Sequence, residues 1–155
     1  MVKKFGPRLY RLARRFAATH EEADEILQET FLRAHTHRRE LRDPDRLLAW
    51  LRRIAANTAL NFIRKEKRLR LVSLDDAPPS AAASTAPDSV HADSGKVRAL
   101  VSRLPPRQRE ALLLWLDEMT YGDIAEAMDC SVGAAKAHVH AAVGSLRKML
   151  RVEPP

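Results

Sequence analysis

Residues 120–142, TYGDIAEAMDCSVGAAKAHVHAA, decide how the second half of the chain folds. Thr120 with Asp123 three residues on is an N-cap signature, because a threonine oxygen can accept from the free amides of a first helical turn. A short helix is therefore expected over Tyr121–Met128. Asp129-Cys130-Ser131 reads as a turn, with Ser131 available to cap the next helix. Beyond it Val132, Ala135, Val139, Ala142, Leu146 and Leu150 recur at helical spacing and form one apolar stripe. Short helix, three-residue turn and longer helix have the outline of a helix-turn-helix. An ordinary helical hairpin without a ligand shares that outline, and local pattern leaves both readings open.

When such a motif binds DNA, its second helix enters the major groove and its N-terminal half meets base edges. The residues presented there are Ser131, Gly133, Ala134, Lys136, Ala137, His138, His140 and Ala141. Lys136 and His140 lie one turn apart, so both can reach the same strand.

Working outward, a unit spanning 96–155 is punctuated by Pro105-Pro106 and carries Ala111, Leu112, Trp115 and Leu116 in helical register. Before it the texture changes. Ser73 to Gly95 is rich in Ala, Ser, Pro and Asp without periodicity, so residues 71–95 are expected to be a flexible linker. Residues 1–70 form the other unit. Its first helix is expected from Lys3 to Ala18 on Phe5, Leu9, Leu12, Ala13 and Phe16. Thr19 with Glu22 gives a capping-box signature for a second helix, whose inner face is Ala23, Ile26, Leu27, Thr30, Phe31 and Ala34. Asp43-Pro44 starts a third, because Asp caps free amides and Pro lacks the donor that the first helical position leaves unused. Leu47, Leu51, Ile54 and Ala55 lie on its buried side, and a break is expected near Asn57, since Asn prefers caps to helix interiors. The chain thus reads as all-α: two small helical domains joined by a flexible linker, the C-terminal one a helix-turn-helix.

Charge narrows the partners. The chain holds 27 Lys and Arg against 20 Asp and Glu, and residues 1–70 carry 18 of the basic side chains and 9 of the acidic ones. A unit that basic is predisposed to a polyanion. Aromatic residues are only 5%, so the cores must be aliphatic. Cys130 is the only cysteine, which excludes an internal disulfide and suits a reducing compartment. With no apolar run of roughly 18 residues, no membrane insertion is expected, and a cytoplasmic location is.

Nothing points to catalysis. His20-Glu21-Glu22-Ala23-Asp24 resembles a zinc-protease helix, but Asp24 stands where the second histidine belongs and no third ligand is near. His138 and His140 point to different helix faces. There is no glycine-rich phosphate loop and no serine nucleophile motif, so no catalytic residue, metal, cofactor or enzyme activity is expected.

A second constellation is Ala49-Trp50-Leu51-Arg52-Arg53-Ile54-Ala55-Ala56-Asn57-Thr58-Ala59-Leu60-Asn61. Asn side chains can read an unpaired base edge, and an aromatic nearby can stack on a base. Equally, Trp50 can be core and Asn57 a helix cap. Trp50 to Arg70, with Asp24-Glu25-Ile26-Leu27-Gln28-Glu29-Thr30-Phe31-Leu32-Arg33-Ala34, resembles region 2 of extracytoplasmic-function (ECF) sigma factors of the sigma-70 family. Leu104-Pro105-Pro106-Arg107-Gln108-Arg109-Glu110, Met119 through Glu126, and Cys130-Ser131-Val132-Gly133 resemble their region 4. The two stretches come in the family's order and together take in nearly the whole chain.

The resemblance implies a protein that directs core RNA polymerase to −10 and −35 promoter elements and assists melting. Glu25, Gln28 and Glu29 match positions that dock on the clamp of the largest polymerase subunit, and region 4 implies a contact to the flap. Asn57, Thr58 and Asn61 match the pocket that captures a base flipped from the −10 element, with Trp50 and Arg53 beside it. Arg64, Lys65 and Arg68 are expected to hold the backbone, and the region 4 residues above to read −35 duplex. An anti-sigma factor is a further implied partner. Departures from the family are His138 and Ala141 where arginine is usual, Ala134-Ala135 where a Thr-Val pair is usual, and a first helix lacking its start. Fewer fixed charges predict a weaker −35 contact, with alanines against thymine methyl groups. Two other classes stay in view: a sigma-like decoy that binds an anti-sigma factor, and a stand-alone helix-turn-helix regulator.

Overall fold

The computed structural model describes residues 2–73 and 92–152. The chain divides into two compact units, Met1–Ala86 and Pro87–Pro155. Among the described residues all regular structure is helical. Most of the expected linker, residues 74–91, lies outside the described residues.

The first unit packs α1 (Val2–Phe16), α2 (His20–Thr36) and α3 (Leu47–Ser73) against one another. α1 stops two residues short of the sequence expectation because the chain there is recruited to start α2. Thr19 is extended at φ −127 and ψ 164, and its hydroxyl oxygen accepts from the Glu22 amide at 3.1 Å. In return, the Glu22 carboxylate accepts from the Ala18 amide at 2.7 Å. The Tyr10 hydroxyl and the His20 Nδ1, 2.6 Å apart, tie α1 to the first residue of α2.

After two single 3₁₀ turns, Arg38–Glu40 and Pro44–Arg46, the chain enters α3. Asp43 caps the second turn by accepting from the Asp45 amide at 3.0 Å, with Pro44 at its first position. α3 then runs without interruption through Asn57, which overturns the expected break. Burial is the reason. Ala55, Ala56, Ala59 and Leu60 around Asn57 are all at most 1% exposed, and that packing outweighs the roughly 0.5 kcal/mol by which Asn is a poorer helix former than Ala. Alanines Ala13, Ala17, Ala23 and Ala59 surround Ile26, letting the three helices approach closely, while Tyr10, Phe16 and Phe62 close the edge.

The second unit comprises α4 (Ala92–Ser102), α5 (Pro106–Leu116), α6 (Tyr121–Met128) and α7 (Val132–Val152). Its core joins Val101, Leu104, Leu112 and Ala142, with Leu113, Val143, Leu146 and Met149 packed on them. Helix intrudes on the expected linker from both sides, to Ser73 and from Ala92. The nearest breakers are Pro78, Pro79 and Pro87, so nothing opposes propagation past residue 70.

The α7 stripe is buried only in its middle, at Ala135, Val139 and Ala142, whereas Val132 is 55% and Leu150 60% exposed. Length explains this correction. At about 1.5 Å per residue α7 is about 31 Å long against about 17 Å for α5 and 12 Å for α6, so neither partner can cover its whole length.

Candidate nucleic-acid interface

Two helix faces, one in each unit, carry the residues expected to meet DNA. On α3, Trp50, Arg53, Asn57, Asn61, Lys65 and Arg68 follow one another at intervals of three or four, which places them on one side of the helix. Arg53, Asn57, Asn61, Lys65 and Arg68 are exposed, and Trp50 and Arg64 are half-buried. The stripe from Trp50 to Arg68 is about 27 Å long. Because α3 is unbroken, its two asparagines and its cations share one rigid scaffold.

Thr58 is not on this stripe. It is 4% exposed, and its hydroxyl donates to the Ile54 carbonyl at 2.7 Å, so it sits beneath the face rather than on it. The spacing carried that signal, since Thr58 is in register with Leu51 and Ala55, both buried.

In the second unit the helix-turn-helix is built from local bonds. The Thr120 hydroxyl oxygen accepts from the Asp123 amide at 3.1 Å, starting α6 where expected. α6 ends in a Schellman arrangement: the Cys130 amide returns to the Ala125 carbonyl at 3.0 Å and the Asp129 amide to the Glu126 carbonyl at 3.4 Å. Asp129 therefore takes a left-handed conformation, φ 54 and ψ 53. Ser131 then caps α7, its hydroxyl oxygen accepting from the Ala134 amide at 3.0 Å. Of the expected groove-facing residues, Ser131, Gly133, Lys136, Ala137 and His140 are exposed, and Ala134 and His138 half-buried. Small side chains dominate, so the backbone of this face can come close to a partner.

On α2, Glu25, Gln28 and Glu29 are exposed. The Glu29 carboxylate accepts from Arg33 Nε at 2.9 Å, both side chains half-exposed. Leu32, 65% exposed and one turn beyond Gln28, completes this face and escaped the sequence reading. Its signal was an apolar residue off the inner stripe of α2. A second omission lies between α2 and α3, where Arg38, Arg39, Arg42 and Arg46 are all exposed and an open recess is lined by His35, Thr36, Arg38 and Arg39. The density of arginine over so few residues could have marked it.

Among the described residues no group of three His, Cys, Asp or Glu side chains is placed to hold a metal ion. No helix among them is long and apolar enough to cross a membrane.

Residues 1–69 match the family sigma-70 region 2, and residues 94–146 match sigma-70, region 4. ECF RNA polymerase sigma factor EcfG of Rhodopseudomonas palustris is 32% identical over 151 residues, covering 95% of this chain and 81% of the relative. ECF RNA polymerase sigma factor SigM of Mycobacterium tuberculosis is 30% identical over 152 residues, covering 97% and 75%. SigE of Mycolicibacterium smegmatis, another ECF RNA polymerase sigma factor, is 28% identical over 155 residues, and the match spans 60% of its length. Among solved structures, the sigma factor RpoE of Bartonella quintana, crystallised with the anti-sigma factor NepR, has the same fold: TM-score 0.75, 24% identity, 99% of this chain and 96% of that one.

Proposed function

Because the chain belongs to the ECF RNA polymerase sigma factors of the sigma-70 family, we propose that it guides core RNA polymerase to a two-element promoter and helps to open it. The observation that carries this reading is a pair of faces in one chain with different chemistry. The α3 stripe offers amide groups for a base edge and cations for a backbone, which suits melted DNA. The α6–α7 motif offers a helix for intact duplex.

In this reading Asn57 and Asn61 receive the base displaced from the −10 element. Unstacking a base costs ~ a few kcal/mol, which edge hydrogen bonds and the flank of Trp50 must return. Arg53, Arg64, Lys65 and Arg68 hold the phosphates, and Thr58 supports the face from below. Ser131, Gly133, Ala134, Lys136, Ala137, His138 and His140 meet the −35 duplex. With Lys136 the only permanent cation among those seven, that contact draws little on phosphate attraction and more on close fit.

Glu25, Gln28, Glu29 and Leu32 form the face for the clamp of the largest polymerase subunit; acidic and apolar groups on an otherwise basic unit suit a protein partner. The flap and an anti-sigma factor are the other partners. The protein acts in the cytoplasm, where the polymerase is, and has no catalytic role of its own. Run-off transcription with core polymerase is the test. Initiation dependent on both promoter elements is expected; a chain that binds an anti-sigma factor but that core polymerase ignores is a decoy instead.

A further inference from the structure

Arg107, near the start of α5, makes two contacts in different directions. Its Nη2 donates to the Met128 carbonyl oxygen at 3.0 Å, and its Nη1 lies 3.5 Å from Glu110 Oε2. Met128 is the last residue of α6, and its carbonyl is one of those a helix leaves without an internal acceptor role. Ala125 and Glu126 accept from the turn itself, whereas the Met128 oxygen accepts from another helix. The next residue is the left-handed Asp129, and two residues later Ser131 caps α7. The guanidinium therefore grips the motif at its bend. Its second contact, Glu110, is 7% exposed and belongs to α5 itself.

We propose that Arg107 is a positioning residue for sequence reading, fixing the end of α6 against α5 and so the direction in which α7 leaves the turn. This rests on the reading of α7 as the duplex-reading helix. Apolar packing of Leu112 against Ala142 holds the second unit together but is non-directional and tolerates tilting. A hydrogen bond across elements is directional. His140 lies about 12 Å along α7, so a tilt of about 10° at the turn moves it by about 2 Å, enough to break a contact to a base edge. The planar fork reaches the carbonyl from one nitrogen and the carboxylate from another at a fixed spacing; lysine, with its donors on a single nitrogen, does not reproduce that geometry.

Arg107 is also 42% exposed, so the rival role is a direct grip on a DNA phosphate. Salt dependence separates the two, since losing one phosphate contact flattens the slope of log affinity against log salt by about 0.9. The probes are duplexes enriched from a random pool by the complex of the full wild-type chain with core polymerase, and scrambled versions of them. Affinities of wild type, Arg107→Lys and Arg107→Gln complexes are measured over a salt series, with the melting midpoint of each free chain.

For both variants, preference for enriched over scrambled duplex is expected to fall about five- to tenfold, the worth of one base contact, while scrambled-duplex affinity, salt slope and melting midpoint stay near wild type. Full preference in the lysine variant overturns the proposal. So does an equal loss on both duplexes in the glutamine variant, whether with a flatter slope, which assigns Arg107 to a phosphate, or with a lowered melting midpoint, which leaves it a folding role only. If the wild-type complex enriches no duplex at all, the duplex-reading role of α7 fails first and takes this proposal with it.

Discussion

Asn57 and Asn61 stand one turn apart on the outer side of an unbroken α3, both exposed, while Thr58 and Leu60 between them in sequence are buried. The helix thus presents two amide side chains to solvent and uses the intervening residues to anchor itself. If Asn57 receives a base edge as proposed, Asn57→Ala removes that partner without touching the core. Promoter opening is expected to fall about tenfold, with core polymerase binding unchanged. Because alanine is the better helix former, the free protein should gain up to ~0.5 kcal/mol in urea unfolding. Equal losses in opening and polymerase binding would assign Asn57 to folding.

Thr58→Val supplies the matching control. The hydroxyl is already spent on the Ile54 carbonyl inside the unit, so valine, equal in shape, should leave promoter opening within about twofold of wild type. Leu51→Ala is the opposite case. Leu51 is 0% exposed, and its truncation should cost ~2–5 kcal/mol of unfolding free energy. A strong opening defect in a stable valine variant would return Thr58 to the DNA face.

Lys65 and Arg68 are exposed cations far along the α3 stripe. If both hold phosphates of a melted strand, the double alanine variant flattens log affinity against log salt for single-stranded DNA by about 1.4, at about 0.7 per contact. Thermal unfolding should be unaffected. An unchanged slope with weaker binding would mean that the pair acts on the fold or on a protein partner.

Two acidic residues hold left-handed backbone at helix ends in the second unit, Glu118 at φ 62 and Asp129 at φ 54. Both stand where glycine is the usual choice, since a side chain there crowds the following carbonyl at a cost of roughly 1–2 kcal/mol. Glu118→Gly and Asp129→Gly are each expected to raise unfolding free energy by ~0.5–1 kcal/mol in a denaturant titration. A loss of stability in either would show that the carboxylate contributes more than the backbone strain removes.

What could be read from sequence was what is decided within one helical turn. Thr19, Thr120 and Ser131 all cap as their spacing with the following residues suggested, Asp43 caps a 3₁₀ turn that leads into α3 rather than α3 itself, and α6 begins and ends at Tyr121 and Met128. What could not be read depends on neighbours distant in sequence. Asn57 stays helical because α1 and α2 bury the residues around it, and Val132 and Leu150 lie outside the packed middle of α7, where Ala135, Val139 and Ala142 are buried. The α3 stripe was legible as a list of residues, but its inner and outer members separated only once Leu51 and Ala55 defined the buried side. Leu32 and the arginines at 38, 39, 42 and 46 carry no capping signal; an apolar residue off the inner stripe and a local density of arginine are weaker marks, and exposure is what gives them weight.

The bend between α6 and α7 has its backbone committed at both ends, to Ala125 and Glu126 behind and to the Ser131 cap ahead. Inserting a single amino acid there would break the Schellman bonds or the Ser131 cap that fix where α7 begins. Side chains along the exposed face of α7 can therefore be exchanged without disturbing the bend, while a change of chain length at the bend cannot be made without disturbing it.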